Sequence, residues 1–237
     1  MTTGDDPGTD RPSSSGAATG RNVAALLARV WRVRASGAEG LPREGAFIFA
    51  ANHPAFLDGL FLVAASPRPV HVLVPSDAYV PPFARAFELS GQIRVAADPP
   101  DRRALGRALG VLDDGGVVGA FAEAERGVGD GQHVDHTVAY LAASSGAPVV
   151  PVAILGGRPV GSARDALPRP RARIDVVFGV PTDIRVDGDI RRRAVLARSG
   201  ERLRQLLTDH VRTACARTGQ TLPGPLPDTD TLHRSDS

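Results

Sequence analysis

The sequence predicts an α/β fold: a single domain with a mostly parallel, mixed sheet covered by helices on both faces. Three observations predict it. Short apolar runs alternate with longer stretches of helical periodicity along most of the chain, the pattern of strands joined by crossover helices. The strand candidates are apolar nearly throughout, as strands buried on both faces are. The 237 residues, 42% hydrophobic and 23% charged, are enough for one sizeable core.

The elements follow in order. Val23, Leu26, Leu27, Val30 and Trp31 recur at helical spacing with Arg29, Arg32 and Arg34 among them, and predict an early amphipathic helix. Strands are predicted at 46–51, 70–74, 92–95, 117–121, 149–155 and 172–178. Helices are predicted at 54–65, 82–89, 101–112, 134–145 and 189–217, the last with a break near Gly200. Residues 1–20 and 219–237 are rich in Gly, Ser, Thr, Asp and Pro and are read as disordered tails, which leaves 21–218 as the domain.

Composition excludes several classes. A formal charge of +2 does not call for nucleic acid. The single cysteine, Cys215, rules out an intrachain disulfide and a cysteine-based metal site. His133 and His136 stand three apart without an evident third ligand, so no metal is predicted. With no apolar run long enough to span a bilayer and no signal-peptide pattern, the reading is a cytoplasmic protein, with peripheral contact to the inner face of the cell membrane left open.

In parallel sheets, chemistry gathers where strands end and helices begin. Two such junctions are chemically loaded. At the first, Asn52-His53-Pro54 breaks a buried strand and Asp58 follows five residues after His53. Pro54 suits a first helical position, which would put His53 at the helix cap. From there its ring can fold toward Asp58, which would fix the tautomer while His53 accepts a proton. At the second, Glu123 and Arg126 follow the strand at 117–121 and can build an anion pocket.

Four blocks in order carry a resemblance. They are Asn52-His53-Pro54-Ala55-Phe56-Leu57-Asp58, Gly91-Gln92-Ile93-Arg94-Val95, Phe121-Ala122-Glu123-Ala124-Glu125-Arg126-Gly127, and Val150-Pro151-Val152. Together they resemble the His-x4-Asp, Gly-x-Ile, Phe-Pro-Glu-Gly-x-Arg and Val-Pro-Val motifs of the glycerolipid acyltransferases, the lysophosphatidic-acid acyltransferase family. The resemblance implies acyl transfer from acyl-CoA or acyl-carrier protein to a lipid acceptor, with no cofactor beyond that co-substrate. It implies His53 as general base, Asp58 as its orienting partner, and Glu123, Arg126, Gly91, Arg94 and Gly127 at the substrate. Ala122 and Ala124 depart from the family's Pro and Gly, and Ala97 stands where an anion-binding arginine is expected. These departures point to an acceptor other than lysophosphatidic acid. The alternative is a catalytically silent member of the fold that binds acyl chains or lipids.

Overall fold

The computed structural model describes residues 12–79, 83–96, 101–123, 126–189 and 192–227. Seven strands form one sheet in the order β1-β7-β6-β2-β5-β3-β4. They are β1 (Arg32–Ser36), β2 (Phe47–Ala51), β3 (His71–Pro75), β4 (Ile93–Val95), β5 (Val117–Phe121), β6 (Val149–Leu155) and β7 (Arg173–Phe178). All neighbours pair in parallel except β6 and β7, which are antiparallel. The sheet is therefore two parallel blocks meeting at one antiparallel seam.

Side chains alternate between two cores. One face carries Phe47, Phe49, Val150, Val152, Ile174 and Val176 under α1 (Ser14–Leu27) and α2 (Asp58–Ala65). The other carries Ile48, Ala50, Val118, Ala120 and Val177 under α4 (Arg102–Asp113), α5 (Thr137–Ser145) and α6 (Arg193–Thr218). The short α3 (Phe83–Leu89) leads into β4.

The structure corrects the sequence reading in four places. Residues 14–20 are not tail: the Ser13 hydroxyl accepts from the Gly16 amide and starts α1 at Ser14. Beyond the last helix, Gln220 bonds Asp175 and Pro223 accepts from the Gly161 amide, so this segment is fastened to the domain. The early helix stops at Leu27, and Arg32 to Ser36 turn into an edge strand because β7 offers a free row of backbone partners. Helix α6 runs unbroken through Gly200, where a side chain would stand 3.0 Å from the His136 ring; the glycine permits close packing rather than marking a break.

Candidate active site

The C-terminal ends of β2 and β5 lie side by side, Ala51 opposite Phe121, and both loaded junctions leave the sheet there. The first does not form a helix at Pro54. Helix α2 begins at Asp58, and residues 54–57 make a turn instead. Asp58 thus stands at the first helical position, and its carboxylate reaches back across the turn. Oδ2 accepts from the Ala55 amide at 2.7 Å and lies 3.1 Å from His53 Nδ1. The pair predicted from a helix cap is made by a turn closed on its own aspartate.

Asp58 is fully buried, and burial pushes its carboxyl above the ordinary range; the His53 hydrogen bond and charge, the Ala55 amide and the nearby Arg126 charge oppose that shift. Phe121 stacks on the other side of the imidazole, ring centroids 4.1 Å apart and 21° from parallel. The ring is held between a carboxylate and an aromatic face with one fifth of the side chain exposed, which leaves Nε2 available. Gly157 completes the wall. A Cβ there would stand 2.9 Å from Ala55 Cβ and 3.0 Å from Asp58 Oδ1.

Glu123 was expected at the substrate, and its geometry gives it another task. It is buried, Oε2 accepts from the His53 amide at 2.9 Å, and Oε1 accepts from the Gly131 amide at 2.8 Å. Burial raises its carboxyl above the usual range against the pull of those two amides. Glu123 therefore ties the strand carrying Phe121 to the backbone of His53 and to the following loop. Gly127 meets the site through its backbone, its amide donating to the His53 carbonyl at 3.3 Å.

Arg126 is partly exposed. It pairs with Asp165 at 3.0 Å and lies over the Phe56 ring at 5.2 Å. Arg94 stands near the end of β4, stacked on Tyr79 at 4.3 Å, two strands from β5. Gly91 lies at the other edge: its carbonyl bonds His71 at the start of β3, and its left-handed turn (φ 65°) packs so closely on α1 that a Cβ would meet the Ser13 carbonyl at 2.6 Å. Gly91 thus forms a tight turn walled by a helix. Ala122 donates its amide to the Ala51 carbonyl at 2.9 Å, a bond that proline could not make, so that departure extends the sheet. Ala97 and Ala124 lie outside the described residues.

Two framework residues carried no assignment from the sequence. Asn52 is buried and locks β2 to β6 through Oδ1, which accepts from the Ile154 amide at 2.7 Å, while its Nδ2 donates to the Gly129 carbonyl at 2.8 Å. Arg158, also buried, donates to the carbonyls of Pro54, Ser162, Gly127 and Gly224. Its position just past the end of β6, beyond two glycines at the site edge, was the available signal.

Residues 32–155 match the family described as Acyltransferase. The structure is similar to the crystal structure of the 1-acyl-sn-glycerophosphate (LPA) acyltransferase PlsC from Thermotoga maritima. The TM-score is 0.61 at 20% sequence identity, over 86% of this chain and 79% of that one. That likeness shows a shared fold.

Proposed function

The chain belongs to the acyltransferase family, and from that premise we propose that it moves a fatty acyl group from an acyl-CoA or acyl-carrier-protein thioester to the hydroxyl or amine of a lysophospholipid-like acceptor, with His53 as general base. The observation that carries the reading is the 3.1 Å contact between His53 Nδ1 and Asp58 Oδ2. With Nδ1–H committed to the carboxylate, the Nε2 lone pair takes the acceptor's proton. The acceptor heteroatom then attacks the thioester carbonyl, the C–S bond breaks, and the thiolate leaves with the proton that Nε2 returns. Asp58 supports the imidazolium between these transfers. This assembled pair favours an enzyme over a silent lipid-binding member of the same fold.

Arg126, at the rim beside Phe56, is the group that would hold an anionic part of the acceptor, and a ligand phosphate there has to compete with Asp165. The acceptor surface fits a membrane. No helix among the described residues is long and apolar enough to cross one. Val23, Leu26, Leu27 and Val30, spaced along one side of α1 and the turn after it, are each about half exposed. Trp31 does not join them: its indole N–H donates to the Pro168 carbonyl and its ring packs edge-on against Phe61. Peripheral membrane contact is proposed through the four aliphatic side chains, with vesicle flotation of a Leu26→Ser/Leu27→Ser variant as its check.

The reaction is tested by incubating the chain with acyl-CoAs and a panel of lysolipids and identifying products by mass spectrometry. His53→Ala is expected to lower transfer by about 10²–10⁴-fold with the thermal transition retained. Unchanged turnover in the folded variant would end the assignment.

A further inference from the structure

We propose that a cavity on the His53 edge of the sheet binds the phosphate-bearing nucleotide end of a coenzyme-A donor; the proposal rests on the acyl-transfer reading above. The cavity has a volume of about 320 Å3 and is lined by β1, β7 and the last turn of α6, with Arg34, Arg173, Asp175 and Arg217 among its walls. Arg173 is already held by Asp175 through Nε at 2.7 Å and Nη2 at 3.1 Å. Arg34 and Arg217 make no ion pair among the described residues and face the same space. Their planar guanidinium forks match phosphate oxygens bidentately.

The register fixes where this cavity lies. Asp175 pairs with Arg34 in β1 and with Leu155 in β6. Leu155 stands beyond Val152, the residue beside Ala51, so the cavity is level with the point where His53 leaves β2. Three strand spacings separate β2 from β1, about 14 Å. The C-terminal segment links the two places. Arg158 bonds Pro54 and Gly224, and Gln220, in the same C-terminal segment, bonds Asp175 and the Arg173 carbonyl. An extended pantetheine arm bridges a distance of that order. A thioester at His53 would then bring the diphosphate and the 3′-phosphate to Arg34 and Arg217. The concave shape and small volume suit a nucleotide fragment rather than the convex surface of a carrier protein.

The experiment uses the full chain and an Arg34→Ala/Arg217→Ala variant, both positions being exposed and outside the His53 site. Calorimetry measures binding of CoA, adenosine 3′,5′-bisphosphate and inorganic phosphate. Kinetics compare acyl-CoA, acyl-carrier protein and acyl-N-acetylcysteamine, a thioester without the nucleotide. The expected result is loss of bisphosphate binding, KM for acyl-CoA raised about tenfold or more with kcat kept, and no change with acyl-N-acetylcysteamine. The proposal is overturned if the variant binds the bisphosphate and uses acyl-CoA as the wild type does, or if inorganic phosphate binds as tightly as the bisphosphate. It is equally overturned if acyl-carrier protein is the donor whose use falls. Arginine-dependent CoA binding without any transfer would uphold the cavity and sink the acyl-transfer reading. Transfer from acyl-N-acetylcysteamine with CoA binding indifferent to both arginines would do the reverse.

Discussion

Arg126 and Arg158 stand at the same sheet edge, touch neighbouring stretches of chain, and do opposite work. Arg158 is buried and gives its guanidinium to carbonyls from the His53 loop, the loop after Glu123, the loop after β6 and the C-terminal segment. Arg126 is partly exposed, lies on Phe56, and has as its ion-pair partner an exposed aspartate. One arginine fastens the loops around the site, and the other is the one proposed to meet an anionic acceptor. The same division separates Glu123, whose two oxygens serve backbone amides, from His53, whose second nitrogen stays available. A charged residue in a motif can thus be engaged by the backbone around it.

The comparison breaks most directly at the two arginines. Arg158→Ala leaves several carbonyls at a buried junction without their donor and is expected to cost about 3 kcal/mol or more. Arg158→Lys should recover only part of this, because one ammonium cannot match the reach of a planar five-donor fork. Arg126→Ala gives up an exposed pair and should change stability by less than about 1 kcal/mol, while raising KM for an anionic acceptor. Denaturant unfolding of the three variants, with acceptor kinetics on Arg126→Ala, checks this. Equal destabilisation at positions 126 and 158 would erase the distinction.

A smaller effect sharpens it at Glu123. Glu123→Gln keeps the shape but turns one acceptor oxygen into a donor facing the amide of His53 or Gly131. A loss of about 1–3 kcal/mol is expected, together with a fall in kcat, since the backbone of the base is no longer pinned. If Glu123 instead acted on the acceptor, KM would rise while the thermal transition stayed in place. Thermal melts and steady-state kinetics on one preparation separate the two outcomes.

How much of this was legible in the sequence depended on whether a residue's partners are local. His53 and Asp58 are five apart, and their pairing could be read although the element between them could not: a turn, not a helix, brings them together. Strands β2, β5 and β6 announced themselves as apolar runs, because a strand buried on both faces has to be apolar. Strand β1 did not. Its Arg-Val-Arg-Ala-Ser lies at an edge, half in solvent, and only pairing with the distant β7 makes it a strand. Glu123 was found without its backbone partners, and Arg158 was not found, for one reason. Both bind backbone amides or carbonyls, most of them delivered by topology from distant parts of the chain, and a backbone group leaves no trace in residue identity.

The finest test of the comparison is the pH dependence of stability at Asp58, a buried carboxyl proposed to support His53 and held in a site that disfavours its charge. Burial holds its pKa above the ordinary 3.8, so the folded state binds this proton more tightly than the unfolded chain does. The resulting contribution to stability is fully present below the unfolded value and is lost as pH rises through the folded one. Above that window the wild type carries an ionised carboxylate in a dry site. Asp58→Asn carries none, and its amide oxygen, placed where Oδ2 stands, can still accept from both the Ala55 amide and His53 Nδ1. The stability of the variant relative to wild type should therefore increase from about pH 4 toward neutrality, even as loss of the carboxylate charge that is proposed to support the imidazolium lowers transfer. Unfolding free energies of the two proteins across that range provide the measurement. A relative stability of Asp58→Asn that falls as pH rises would mean that the His53 bond and the Arg126 charge outweigh burial, and that the ionised pair helps hold the fold together.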